Sequence, residues 1–305
     1  MPAQPPVSPN VVELDGPFEH EMLHARGIRL HAAVAGSPED PLIVLLHDAY
    51  GGWHDFRDCI APLAQAGFHV AALDLRGFGM SDKPPGESGQ DIRTFIGDVV
   101  GAIRALGHDD AVLVGADSGA ALAWGVALQH PAMTRGLMSV SGAFPVDMRR
   151  AIAARPWDFG WIILRALWFR MPSRLVRLKP GFNEGAIHRH LLLNTASRYH
   201  GTEHCARTLR LRADAALIPH AARGIMWHNR LLTAVVPVQW FNLKVQCPTL
   251  FIHADQGLWR PVVRRAAARV EAPFSSRHIR GTKNLPHVEA PGDFVDTLLG
   301  WLRQH

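Results

Sequence analysis

At 305 residues, 48% hydrophobic and 19% charged, the chain can bury a full core without disulfide or metal support. Its composition excludes a disordered protein, a collagen and a coiled coil, and three scattered cysteines (Cys59, Cys205, Cys247) make neither a disulfide framework nor a zinc site. The formal charge of +5 is unevenly placed: residues 146–232 carry 15 Lys and Arg against 5 Asp and Glu, and the remainder carries 17 against 22.

In chain order, the Pro-rich start reads as a disordered tail over residues 1–17 rather than a secretory leader. Phe18–His24 and Ile28–Gly36 alternate around Arg26-Gly27 and predict a hairpin. Pro41–Leu46, Val70–Leu75, Ala111–Gly115 and Leu137–Val140 are continuous apolar runs, the pattern of strands buried on both faces of a parallel sheet. Between them Ile92, Phe95, Ile96, Val99, Val100, Ile103 and Leu106 recur at helical spacing, with Gly107 as the stop. After Pro145 the alternation ceases. Residues 148–232 are helical in pattern, rich in Arg and His, and carry Trp157, Trp161, Trp168 and Trp227. Strand patterning resumes beyond Cys247-Pro248 with Thr249–His253 and Arg277–Ile279, and a helix from Phe294 to Leu302 closes the chain.

This order predicts an α/β fold: a doubly wound, mostly parallel eight-stranded sheet built from residues 18–145 and 246–305. Residues 146–245 are expected to form an inserted helical cap over the carboxyl edge, where open α/β sheets bind ligands. The longest apolar runs are too short to cross a bilayer, and Arg165 splits the best of them. No nucleic-acid motif accompanies the basic block. The expectation is a cytoplasmic protein that takes a small molecule with an anionic or polar edge and engages neither nucleic acid nor membrane. Its oligomeric state is left open.

Val112–Ala120 reads as a strand, a tight turn and the start of a helix. Gly115 and Gly119 stand two residues either side of Asp117, the small-residue spacing that a nucleophile elbow requires. Asp at the centre gives a carboxylate nucleophile or an acid/base. Four further segments occur in order around it: Gly27–His31, Leu46-His47, Asp74–Pro84 and Glu289-Ala290-Pro291. Together they resemble the α/β-hydrolase superfamily, in particular its epoxide hydrolase and haloalkane dehalogenase branch, from about Phe18 to Leu302.

That resemblance implies a cofactor-independent, metal-free site. An elbow Asp there attacks carbon, a His paired with an acid activates water, and two backbone N–H groups stabilise the oxyanion. The oxyanion donors would be Ala49 and Ser118. The chain departs from the pattern at the relay, where Gly257 stands in the place of the acid and Asn284 in that of the His. Asn cannot accept and carry a proton near neutral pH. Asp255 and His287 are the substitute pair to consider. Ala49 and Ser118 lack the amide and indole donors that a dehalogenase uses for halide. His228 occupies the place of a cap tyrosine that protonates epoxides, and Asp48 offers a second carboxylate beside Asp117. His47, Tyr50, Trp157 and Trp227 are the pocket candidates. The expected function is an enzyme using Asp117, with Asp48 and His228, as acid/base in a non-hydrolytic isomerisation, cyclisation or elimination of an apolar molecule. The alternatives are an epoxide hydrolase-like enzyme with a rewired Asp255–His287 base, and a catalytically inactive binding protein.

Overall fold

The computed structural model describes residues 7–85, 91–171 and 184–305. Its strands are β1 (Glu19–Ala25), β2 (Ile28–Ala35), β3 (Leu42–Leu46), β4 (His69–Leu73), β5 (Ala111–Ala116), β6 (Thr134–Val140), β7 (Thr249–Ile252) and β8 (Phe274–Arg277). They form one sheet in the order β1-β2-β4-β3-β5-β6-β7-β8. β2 is antiparallel to both β1 and β4, and every pairing from β4 through β8 is parallel. The β1–β2 hairpin turns at Arg26 (φ 50°) and Gly27 (φ 81°), two positive φ values whose twist matches the flanking strands. All residues of β3, β4 and β5 are buried, which is why these strands read as unbroken apolar runs. β8 lies earlier than the expected Arg277–Ile279, because its half-exposed Phe-Ser-Ser-Arg sequence carries no strong pattern.

Helices α1 (Arg57–Gln65), α2 (Ile92–Ala105) and α3 (Ser118–Gln129) follow β3, β4 and β5. The side chain of Asp91 caps α2 by accepting from the Thr94 N–H. Between β6 and β7 come α4 (Pro145–Ala154), α5 (Gly160–Arg170), α6 (Glu184–Asn194), α7 (Glu203–Leu217) and α8 (Ala221–Leu231). After β7 come α9 (Trp259–Arg269), the short α10 (Pro286–Glu289) and α11 (Pro291–Leu302). One core layer joins the sheet to α2 and α3 through Phe95, Val99 and Trp124. The other joins it to α1 and α11 through Ile60, Leu63, Phe294 and Trp301. Residues 172–183, inside the expected helical stretch, lie outside the described residues.

Two features fix the inserted helices to the sheet. Arg212 of α7 is buried between Asp48 and Asp55 of the loop after β3, at 2.9 and 2.8 Å. Gly224 of α8 meets Gly77 backbone to backbone, so closely that a Cβ on Gly224 would fall 2.4 Å from the Gly77 carbonyl oxygen. The expected disordered tail needs correction. Residues 1–6 lie outside the described residues, but Pro9–Val12 forms a 3-10 turn. Val12 is buried against Ile218 and Ala221, and its carbonyl accepts from the Trp53 indole at 3.0 Å. Two adjacent valines, Val11 and Val12, carry no periodicity, so composition alone missed this contact.

Candidate active site

Asp117 sits between β5 and α3 with φ 49° and ψ −108°, a strained backbone for a residue with a side chain. The flanking glycines are required by packing. A Cβ at Gly115 would lie 2.5 Å from the Gly119 carbonyl oxygen, and one at Gly119 would lie 2.4 Å from that of Leu46. The turn is pinned by the Asp117 N–H, which donates to Val140 at 2.9 Å. Ser118, the first residue of α3, and Ala49 are both fully buried.

The Asp117 carboxylate faces Arg165, which projects from α5. The guanidinium donates to Oδ2 at 2.6 Å and to Oδ1 at 3.3 Å, a two-pronged pair that engages both oxygens. Its Nε donates to Asn229 Oδ1 at 2.5 Å, and Asn229 is itself held by the Ile225 carbonyl. Burial alone would lower the Arg165 pKa, but the Asp117 carboxylate outweighs it and holds the guanidinium above its usual value. Apolar side chains of the inserted helices, among them Phe159, Trp161, Ile162 and Leu193, line the same cavity as Asp117, but the charge beside it is this cation rather than a like charge from Asp48.

Two adjoining cavities meet at Arg165 and His190. One, of about 200 Å³, is lined by Asp117, Ser141, Asn194, Trp259 and Asn284 among others. The second, of about 390 Å³, is walled by Tyr50, Trp161, Leu164, Trp168 and Phe169 and carries Arg189. His190 of α6 is buried with its ring 4.3 Å from that of Tyr50. Burial pulls its pKa down to about 4, against the pull of Asp48, so the ring is neutral near pH 7. Burial likewise pushes the Tyr50 phenol up to about 12. Asn284 is fixed in place: its amide donates to Asn194 at 3.0 Å, and its carbonyl accepts from Trp259 Nε1 at 3.2 Å.

Several expected site residues lie elsewhere. Asp48 is not free as a second acid/base; it is locked under Arg212 in a fully buried cluster with Asp55. Burial would raise its pKa, yet Arg212 brings it down to about 2. His228 faces neither cavity; it packs edge-on against Phe78 and Phe95, with ring centroids 4.7 Å away in both cases. Burial drives its pKa well below the usual value. Asp255 and Gly257 are exposed. His287 is buried in a stack on Phe56 at 4.5 Å, and burial lowers its pKa to about 4. Asp255 and His287 therefore form no relay. Of the pocket candidates Tyr50 lines one of these two cavities, and His47, Trp157 and Trp227 line neither. His47 is clamped in its loop, with Nδ1–H donating to the Asp48 carbonyl at 2.6 Å and Nε2 accepting from the Leu75 N–H at 3.1 Å. Trp157 is 76% exposed, and Trp227 is buried under Arg223.

Sequence reasoning missed Arg165, Asn229 and His190. Arg165 had a signal: it interrupts the apolar run from Trp161 to Phe169, and a lone charge on such a helix needs a buried partner. His190, one of 18 histidines, had none. Among the described residues no group of His, Cys, Asp or Glu is arranged to hold a metal ion, and no helix is long and apolar enough to cross a membrane.

Comparison with known proteins agrees with this architecture. Residues 41–167 match the family model of the alpha/beta hydrolase fold. The chain is 42% identical over 128 residues to epoxide hydrolase B of Mycobacterium tuberculosis, a stretch covering 41% of this chain and 36% of that one. The solved epoxide hydrolase A of Mycobacterium thermoresistibile superposes with a TM-score of 0.73 at 22% identity, covering 94% of this chain and 98% of that one. The epoxide hydrolase VrEH1 of Vigna radiata does so with a TM-score of 0.75 at 22% identity, covering 95% and 99%.

Proposed function

From the premise that the chain is an α/β-hydrolase-fold protein of the epoxide hydrolase-like branch, we propose that it is an enzyme that rearranges a small, largely apolar molecule without hydrolysing it. Asp117 takes a proton from one atom of the substrate and returns it to another, or to the leaving group. One observation carries this reading. The side chain sharing the smaller cavity with Asp117, at the position the family resemblance gives to the water-activating His, is the amide of Asn284. An ester formed on Asp117 would find no base at that position to activate water, so a catalytic cycle that avoids the ester fits the residues better. Three buried free cysteines suit a reducing compartment, and we assign the enzyme to the cytoplasm.

Hydrolysis remains as a second reading on one specific ground, which is His190. A neutral imidazole lining both cavities has the form of a general base, unlike the Asp255–His287 pair. Turnover of apolar epoxides and unsaturated compounds in water labelled with heavy oxygen separates the two. Products isomeric with substrate and free of label are expected. A labelled diol, or a labelled oxygen entering the Asp117 carboxylate, overturns the non-hydrolytic reading in favour of His190-assisted hydrolysis.

A further inference from the structure

We infer that Arg165 is the anchor for the carboxylate of an apolar organic acid, which it accepts in exchange for its partner Asp117. The inference rests on the acid/base reading only for the chemistry after binding.

The larger cavity has aromatic and aliphatic walls from Tyr50, Trp161, Leu164, Trp168 and Phe169, and its charged lining residues are Arg165 and Arg189. No carboxylate of the described residues lines it. An apolar body with one negative end matches such a lining, and about 390 Å³ lies within the range of small-molecule sites. Arg165 sits where this cavity meets the smaller one that holds Asp117. Of the five N–H donors of a guanidinium, its bonds to Asp117 and Asn229 use three. The side chain therefore keeps donors with which to meet an incoming anion before it lets go of Asp117. His190 stands beside Arg165 on the wall of both cavities, a neutral polar ring within reach of the same space.

Exchange also explains how a latched carboxylate can work. Both Asp117 oxygens are engaged by Arg165, and a carboxylate so held is a weak base and a poor nucleophile. A ligand carboxylate supplies the counter-charge that a buried guanidinium requires. Asp117 is then released beside the bound molecule, and Arg189 offsets the added negative charge. A neutral ligand fills the cavity but leaves the latch shut.

Binding of 1-naphthylacetate and of its neutral amide, followed by calorimetry and by quenching of the cavity tryptophans, tests this without any turnover. The wild-type protein should bind the acid about tenfold tighter than the amide. Asp117→Asn removes the internal competitor, so the acid should bind about tenfold tighter again while amide binding stays unchanged. Arg165→Met should erase the preference for the acid. Equal binding of acid and amide, no tightening in Asp117→Asn, or an acid preference that survives Arg165→Met each overturns the inference. If Arg165→Met does not fold, the wild-type and Asp117→Asn arms still decide. Acid preference without turnover would remove the acid/base reading and leave this one standing, and turnover of neutral molecules with no acid preference would do the reverse.

Discussion

Asp117 and Arg165 are each the condition for burying the other, so single and double replacements have different consequences. Arg165→Met leaves a carboxylate, 15% exposed, without its cation and should cost about 2–3 kcal/mol of stability. Adding Asp117→Asn to it should restore most of that loss. Urea denaturation of the two single variants and the double variant measures the coupling directly; additive losses would mean that the pair contributes nothing. Asp117→Asn alone should abolish turnover while the chain remains folded, because the elbow backbone is set by Gly115, Gly119 and the Val140 carbonyl rather than by the carboxylate. Full activity in that variant would take Asp117 out of the mechanism. The elbow was legible because its demand for small neighbours is written within five consecutive residues. Its cation was not, since Arg165 lies 48 positions away and no local rule joins them.

Among the helices, α7 and α8 hold the cap in register with the sheet, and in each one position can be tested by a single replacement. Arg212 bridges Asp48 and Asp55 and is the cation that both carboxylates share. Arg212→Met should therefore destabilise by about 3–5 kcal/mol, and Asp48→Asn with Asp55→Asn in the same chain should recover part of this. An unchanged melting temperature would show that the cluster does not fasten the cap. Gly224→Ala probes the second attachment. Its Cβ would strike the Gly77 carbonyl, and Gly77 has a φ of 93° that leaves it little room to yield. Overpacking there should cost about 1–3 kcal/mol and lift α8 from the core; a thermal melt identical to wild type would refute the contact.

Over the whole molecule, acid should unfold the protein in two overlapping ranges. His47, His190, His228 and His287 are fully buried, and burial lowers the pKa of each. Between the unfolded value near 6.5 and about 4 the unfolded chain binds more protons, so stability falls as pH falls, by about 1 kcal/mol per pH unit for each such group. The carboxylates act lower down. Asp48 has its pKa depressed to about 2, so its contribution is present above about 4 and is lost as pH drops through 2. The urea midpoint should accordingly fall steeply from about pH 7.5 to about pH 5, and replacing His228 with Phe should flatten that dependence. A midpoint independent of pH across this interval would show that these rings are not buried.

The sequence by itself determined the sheet, the elbow and the interruption of strand patterning after Pro145. Strand burial, helical spacing and turn residues are local or nearly local properties, and they repeat along the chain. Val114-Gly115-Ala116-Asp117-Ser118-Gly119 contains its own instruction to turn. Only the tertiary structure decided which polar side chains meet. His47, His228 and His287 are chemically as competent as His190, yet packing places the first three among aromatic rings and loop backbone and the fourth on a cavity wall. Asp48, two residues from Tyr50, is committed to Arg212, 164 positions away, and Arg165 to Asp117. A buried charge is stable only opposite another, and which other is fixed by how α5, α6 and α7 cross the sheet edge, a geometry that no spacing in the chain encodes.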